Sequence, residues 1–158
     1  MKTNEPTYAS IRMMAMNLLA MREHSEKELR SKLAKKHDQG GLIATVLEKL
    51  KVDGLQSDSR FAEAFINMRL RQGKGAQIIR LELRDKGISD ELINTCLIDS
   101  MGNTDWNELA LKAYQKKFGG KPVFDLKEKS KRVRFLTARG FSAANIQYVF
   151  KLSAVETD

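Results

Sequence analysis

The chain has 158 residues, 42% of them hydrophobic and 30% charged, so it contains enough apolar material for one folded domain or a few small ones. The single cysteine cannot form an internal disulfide, and no uninterrupted apolar run approaches the roughly 20 residues that span a bilayer, so we expect a cytoplasmic protein without membrane contact. The net charge of +8 favours a polyanionic partner, either nucleic acid or an acidic protein surface.

Apolar residues recur at helical spacing along almost the whole chain, for example at Ile43, Val46 and Leu50, and no segment alternates like a strand. The sequence therefore predicts an all-α protein. The predicted helices span residues 8–22, 25–37, 40–53, 57–72, 75–86, 89–100, 104–118, 125–139 and 142–152.

Capping residues mark several helix starts, and glycines mark helix ends. Ser25 and Glu28 have the spacing of a capping box, and Asp125 stands before the eighth helix with an acidic residue three positions later. Glycines follow four periodic segments, where a residue that is free to adopt positive φ can close the last helical turn. These glycines are Gly54, Gly87, Gly119 and Gly140.

The chain repeats itself three times. A shift of 50 residues aligns segment 30–37 with segment 80–87, and a further shift of 53 brings in segment 133–140. Each unit is a three-helix module whose small core needs contacts with its neighbours. The sequence therefore predicts tandem modules that form a short, elongated and curved array. The predicted module boundaries are 8–53, 54–101 and 104–152.

The sequence contains no convincing catalytic or metal-binding constellation. His24 and His37 are the two histidines; they are thirteen residues apart, which does not fit a metal-binding helix, and we expect both on the surface. Cys96 lies on an apolar stripe and is predicted to pack in the core. We therefore expect a protein that is not an enzyme and needs neither a metal nor a cofactor.

Two segments have features that phosphates or nucleic acids use. The GKG turn at residues 73–75 lacks the ending of a nucleotide-binding loop, although its amides and Lys74 could receive an anionic partner group at the start of the fifth helix. Segment 112–121 interleaves lysines with Tyr114 and Phe118, as single-strand-binding surfaces do. Burial of both rings in the third module is the favoured interpretation.

The basic excess is local. Residues 112–139 contain ten Lys and Arg but two Asp and Glu, while the rest of the chain contains 18 of each kind. A solvated helix face is the ordinary explanation for such a run, and a docking surface is the alternative that the scarcity of acids favours. The residues alone leave both interpretations open.

Three stretches of the chain carry the pattern of a known family, namely REHSEKELRSKL (22–33), VDGLQSDSRFAEAFINMRLRQGKGAQIIRLELRDKGIS (52–89) and KRVRFLTARGFSAANI (131–146). They resemble the RecX regulatory proteins, the bacterial modulators of the RecA recombinase. The central stretch is the most specific because its residues follow the family's order. These residues are Gly54–Leu55, Asp58, Arg60–Phe61, Arg69, the turn at 73–75, Ile79, Leu83 and Lys86–Gly87–Ile88.

The resemblance implies an all-α fold of three tandem three-helix modules, in agreement with the repeats. It also implies a partner, the RecA–DNA filament, because family members lodge in the groove of that filament and generally inhibit RecA. The inhibited activities would be ATP hydrolysis, strand exchange and coprotease action, with effects on recombination, DNA repair and the SOS response. The chain departs from the family at Gln56, where an acidic residue is common, which predicts a changed cap or local contact.

An electrostatic contact with acidic side chains and with single- or double-stranded DNA would suit this partner. The alternatives are a module that binds DNA or RNA directly, an enzyme, and a generic helical adaptor. The candidate partner contacts are basic residues on predicted helix surfaces or turns, namely Arg69, Arg71, Lys74, Arg80, Arg84, Lys116, Lys117, Lys131, Arg132 and Arg134.

Overall fold

The computed structural model describes residues 7–36, 40–102 and 105–156, and the regular structure in these ranges is entirely α-helical. The predicted all-α class is therefore confirmed. The helices in the described ranges are α1 (Tyr8–Met21), α2 (Glu26–Lys36), α3 (Gly40–Val52), α4 (Asp58–Arg71), α5 (Ala76–Asp85), α6 (Asp90–Met101), α7 (Trp106–Phe118), α8 (Leu126–Ala138) and α9 (Ala143–Glu156).

The predicted caps form as expected. The Ser25 hydroxyl accepts the Glu28 N–H, and the Glu28 carboxylate accepts the Ser25 N–H, each at 3.1 Å. Asp125 accepts the Glu128 N–H at 2.8 Å and so begins α8. The largest error is at α9, which extends to Glu156 although the sequence predicts its end at residue 152. The helix continues because no glycine or proline interrupts its last turn.

The chain folds into two compact units. The first contains the residues up to 64 and those from 83 to 93, and the second contains 65–82 and the residues from 94 onward. Helices α4, α5 and α6 contribute segments to both units, and Cys96 on α6 is buried as predicted. The apolar residue at each repeat position, Leu33, Leu83 or Leu136, is completely buried, so the offsets of the repeat mark equivalent core positions.

Each unit has a helical core of its own. In the first unit α1, α2 and α3 surround the cluster Ile11, Ala15, Leu29, Leu33, Ile43, Val46, Leu47 and Leu50. In the second unit α7, α8 and α9 surround the cluster Ala110, Tyr114, Leu136, Phe141, Ile146 and Val149. These side chains recur every three or four residues along their helices, which is why each helix has one apolar face.

A close backbone contact joins two turns inside the second unit. The Gly75 N–H donates to the Arg139 carbonyl oxygen at 2.7 Å, and the Gln77 N–H donates to the Gly140 carbonyl oxygen at 3.0 Å. A Cβ atom on Gly75 would lie 2.4 Å from the Gly140 carbonyl carbon, so only glycine fits there. We call this contact the second glycine joint, because it lies in the second unit.

An equivalent contact lies inside the first unit. The Lys27 ammonium donates to the Asp85 carbonyl oxygen at 3.0 Å, and a Cβ atom on Gly87 would lie 2.8 Å from the Lys27 Cβ. Gly87 and Gly140 are 53 residues apart and both have positive φ. In both units, therefore, the first residues of one helix contact a glycine in the turn between two later helices. The repeat thus includes this contact as well as the core positions.

Candidate functional site

Nine of the ten candidate contact residues lie in the second unit, and Arg84 lies in the first. Six of the ten are exposed or half-exposed and form no ion pair within the described ranges. We call these six the open basic set; they are Arg71, Lys74, Lys116, Lys117, Lys131 and Arg134. Their charges remain available for a partner because no internal carboxylate neutralises them.

Three further candidates are engaged within the protein. The Arg69 guanidinium donates to the Glu82 carboxylate at 3.0 Å from Nε and lies 4.9 Å from the centroid of the Phe65 ring. Arg80 donates to the Asn94 side chain. The Arg84 Nε lies 2.6 Å from an oxygen of Asp90. A partner would have to compete with these contacts, so these arginines are weaker candidates than the open basic set.

Arg132 is not a surface residue. Its prediction as an exposed contact is wrong, because only 2% of the residue is accessible to solvent. Its guanidinium donates to Glu128 at 3.0 Å and to the Tyr114 hydroxyl at 2.7 Å. These partners satisfy the buried charge. The helical spacing of four residues places Arg132 on the same face as the core residue Leu136, and this spacing is the signal that would have revealed its burial.

Arg132 also holds the loop that joins α7 to α8, residues 119–125. Its guanidinium donates to the Lys121 carbonyl oxygen at 2.8 Å and to the Pro122 carbonyl oxygen at 3.4 Å. The same group lies 4.8 Å from the centroid of the Phe118 ring. A single buried side chain thus fixes the loop to the core of the second unit.

The aromatic residues of segment 112–121 belong to the core, as predicted. Tyr114 is 3% exposed, and Phe118 packs against the same cluster. Their ring centroids are 5.3 Å apart. Neither ring has the open face that base stacking requires, so the lysines of this segment act without them.

The amides at the start of α5 are not an anion site. Gly75 is buried, and its N–H and the Gln77 N–H donate to carbonyl oxygens of the second glycine joint. These two amides therefore cannot receive an anionic group, because their hydrogen-bonding capacity is already used. Lys74 remains half-exposed and stays in the open basic set.

The prediction that His24 lies on the surface is also wrong, since the residue is 1% exposed. Its Nδ1 lies 3.0 Å from the Arg22 carbonyl oxygen and its Nε2 lies 2.9 Å from the Lys32 ammonium. The first partner accepts and the second donates, so the ring is neutral with its proton on Nδ1. Burial lowers the pKa of His24, and the charges of Arg22 and Lys32 lower it as well. The prediction for His37 lies outside the described residues.

Gln56 makes the local contacts that the departure from the family predicts. The side chain is buried, and its Nε2 donates to the His24 carbonyl oxygen at 3.2 Å and to the Asp58 carboxylate at 2.9 Å. The same Asp58 oxygen accepts the Glu26 N–H at 2.9 Å. A carboxylate at position 56 could not donate, so the amide suits this junction between α2 and α4.

Apolar side chains that the sequence analysis missed lie at the start of α8. Phe124 is 83% exposed and Leu126 is 81% exposed, and Val123 beside them is 37% exposed. The signal was available for Val123 and Phe124, because residues between a proline and an N-capping aspartate lie outside any helical stripe. Val123 also lines a cavity of 690 Å³, together with Tyr114, Gln115, Gly119, Gly120, Lys121, Pro122, Lys129, Phe150 and Ser153.

Family models match nearly the whole of this helical architecture. The first three-helix domain of RecX matches residues 12–50, the second matches 57–97 and the third matches 104–150. The chain belongs to the RecX family.

Curated relatives agree with this assignment over their full architecture. The chain is 42% identical to Regulatory protein RecX of Chromohalobacter salexigens over 85% of this chain and 86% of that protein. It is 36% identical to Regulatory protein RecX of Halorhodospira halophila, covering 87% and 84% of the two chains. It is 40% identical to Regulatory protein RecX of Legionella pneumophila, covering 87% and 90%.

Solved structures share the fold. The crystal structure of RecX from Lactobacillus salivarius superimposes with a TM-score of 0.78 over 94% of this chain and 97% of that chain, at 21% sequence identity. A second crystal structure of regulatory protein RecX gives a TM-score of 0.79 over 91% and 73% of the two chains, at 23% identity. The three tandem three-helix domains of this RecX-family chain are therefore those of the family.

The described residues contain neither a group of metal ligands nor a helix suited to a membrane. No three His, Cys, Asp or Glu side chains in these ranges lie together as a metal site requires. No described helix has both the length and the apolar character to cross a membrane.

Proposed function

We propose that this RecX-family chain binds the RecA–DNA filament and inhibits its ATPase, strand-exchange and coprotease activities. Recombination, DNA repair and the SOS response are the processes that would change. The observation that carries the proposal is the match of all three RecX domains in order along one chain.

The charge distribution supports a filament partner. A filament presents DNA phosphates and acidic protein side chains, and the open basic set offers positive charges that no carboxylate within the described residues pairs with. Attraction between such surfaces is long-ranged and weakens with salt. A helical protein bound across neighbouring RecA subunits would restrain the movements that ATP turnover needs and would obstruct the incoming duplex.

We infer that the chain acts by binding and not by catalysis. The polar side chains with the most unusual surroundings, Arg132, His24 and Gln56, are buried and bonded inside the protein. Hydrogen bonds made within the protein are typical of polar groups that stabilise the fold. The regulatory name of the relatives agrees with this inference.

The test is the ATPase rate of RecA on single-stranded DNA while the protein is titrated from substoichiometric to equimolar ratios. We expect strong inhibition. Half-inhibition far below one molecule per RecA would indicate capping of filament ends, and half-inhibition near equimolar ratios would indicate occupancy of the groove. An unchanged ATPase rate together with absent filament binding would refute the proposal.

A direct DNA- or RNA-binding module is the second candidate, and the net charge of +8 favours it. The two functions differ in which surface is preferred. Affinity for naked DNA and affinity for the RecA-coated filament should be compared at matched salt. Tighter binding to naked nucleic acid would favour the second candidate.

A further inference from the structure

We propose that the start of α8 and the loop before it form a docking site for an acidic segment of a partner protein that carries an apolar side chain. We call this site the apolar loop site; it comprises residues 121–129. The inference deepens the proposed function, and it rests on that function only in naming RecA as the source of the segment.

The first observation is exposed apolar surface. Phe124 and Leu126 are more than four-fifths exposed, and Val123 adds a third side chain beside them. Exposed apolar side chains that lie close together in the sequence, as these three do, point to an interaction site, since solvent contact is unfavourable for them. Aromatic side chains commonly supply most of the energy at such interfaces, so Phe124 is the expected anchor.

The second observation is that the site is held in place. Arg132, buried beneath the loop, donates to the carbonyl oxygens of Lys121 and Pro122. Asp125 accepts the Glu128 N–H and so fixes the junction with α8. A site whose backbone is already ordered loses little conformational entropy on binding, which favours affinity.

The third observation is the cavity next to Val123. Its volume of 690 Å³ is enough for an apolar side chain, and Phe150 is the aromatic residue of its lining that is not fully buried. Lys121 and Lys129 also line it. An apolar side chain of the partner would enter the cavity while carboxylates flanking that side chain meet the two ammonium groups.

The charge of the site is not cancelled by its own acids. The Asp125 carboxylate caps α8, and the Glu128 carboxylate accepts from Arg132 at 3.0 Å. Lys121, Lys127 and Lys129 form no ion pair in the part of the chain that the structure describes. This surplus selects an acidic partner.

A protein partner fits better than nucleic acid. Nucleic-acid bases bind by stacking on flat rings, and of the three exposed side chains only Phe124 has one. Val123 and Leu126 are aliphatic, so they gain from burial against apolar protein surface and not from base stacking.

The first experiment uses a probe that is independent of RecA. Amide chemical shifts of the full chain are followed while a Glu-Asp-Leu-Glu-Asp-Phe peptide is added, and a matched peptide with serine in place of leucine and phenylalanine is the control. We expect saturable shifts at Lys121, Val123 and Phe124 with the first peptide only. Equal shifts with both peptides, or none, would overturn the proposal, as would preferential binding of a thymidine oligonucleotide at these amides.

The second experiment measures the Kd for the RecA–single-stranded DNA filament. The double variant Phe124→Ala, Leu126→Ala should bind at least tenfold more weakly, about 1.4 kcal/mol. The control Met13→Ala, Met21→Ala removes exposed apolar side chains from α1 and should stay within about twofold of the original chain. Both variants should keep the original melting temperature.

The outcomes separate the two proposals. Absence of filament binding by the original chain would refute the proposed function, and the peptide titration would still decide the docking site. Filament binding that the Phe124→Ala, Leu126→Ala variant retains would refute the docking site and leave the proposed function standing. Loss of affinity for naked single-stranded DNA in parallel would show that the loop contacts nucleic acid, which also overturns the docking site.

Discussion

Arg132 and Arg134 are two residues apart on α8 and occupy opposite sides of that helix. Arg132 is buried against Tyr114 and Phe118, whereas Arg134 is exposed. The difference follows from helical geometry, since a step of two residues turns the side chain by about 200°. Charge alone therefore cannot assign a function to a residue in a basic segment, and position on the helix has to decide.

Replacing Arg132 should damage the fold. Arg132→Met leaves the buried Tyr114 hydroxyl and two loop carbonyls without their donor, and we expect a loss of about 2 to 3 kcal/mol in the free energy of unfolding. Urea denaturation measures it. The matched control is Arg134→Met, which should change stability by less than about 0.5 kcal/mol. Equal stability of the two variants would contradict the structural role of Arg132.

Folding lowers the pKa of Glu28, a carboxylate in the first turn of α2. Partial burial raises its pKa, but hydrogen bonds from the Arg22 guanidinium and the Ser25 N–H lower it more, so the pKa falls from 4.5 to about 2. The Arg22 contact is bidentate, at 3.0 and 3.1 Å. The folded state therefore favours the ionised form of this side chain.

The pH dependence of stability follows from that shift. Because the pKa of Glu28 is depressed on folding, its contribution is fully present above about pH 4.5 and is lost as the pH falls towards 2. Its size is at most about 3.4 kcal/mol, and solvent around the half-exposed Arg22 side chain reduces it. Glu28→Gln should be less stable than the original chain at pH 7, and the gap should shrink between pH 5 and 3. Denaturant titrations across this range measure the difference in the free energy of unfolding between the two proteins. A difference that does not change with pH, or the same behaviour for the exposed control Glu63→Gln, would contradict the prediction.

At the scale of helices and turns, local rules predicted what local contacts determine. The Ser25–Glu28 cap and the apolar stripe of α3 depend on residues within a few positions of one another, so the sequence sufficed. The second glycine joint unites turns more than sixty residues apart, and nothing near Gly75 reveals that Gly140 lies against it. The burial of Arg132 and the exposure of Phe124 depend in the same way on packing between helices.

The second glycine joint can be tested with two glycines that differ only in their surroundings. Neither Gly75 nor Gly41 has positive φ, so backbone strain does not separate them. Gly75→Ala would press a methyl group into the Gly140 backbone and should cost about 2 kcal/mol or more. Gly41→Ala meets no atom within 4 Å and should be neutral or stabilising by up to about 1 kcal/mol. Thermal and urea unfolding measure the stability of both variants. Equal effects of the two substitutions would show that the joint is not tightly packed.

At the scale of the whole molecule, net charge and charge placement make different predictions about binding. A net charge of +8 attracts any polyanion at long range, whereas a docking surface requires particular side chains. Two helices provide an internal comparison, because α2 and α7 each have two lysines in the last turn, Lys35–Lys36 and Lys116–Lys117. Reversal of either pair changes the net charge equally and disturbs a helix end in the same way.

Reversal of the two pairs should therefore separate the explanations. If contacts lie in the basic segment, Lys116→Glu, Lys117→Glu should weaken binding to the RecA–DNA filament about tenfold near 0.1 M salt and should flatten its salt dependence. Lys35→Glu, Lys36→Glu should change the affinity by no more than about threefold, through net charge alone. Fluorescence anisotropy with labelled protein at several salt concentrations measures both effects. Equal losses for the two variants would mean that the total charge governs the interaction, and the open basic set would then have no special part in it.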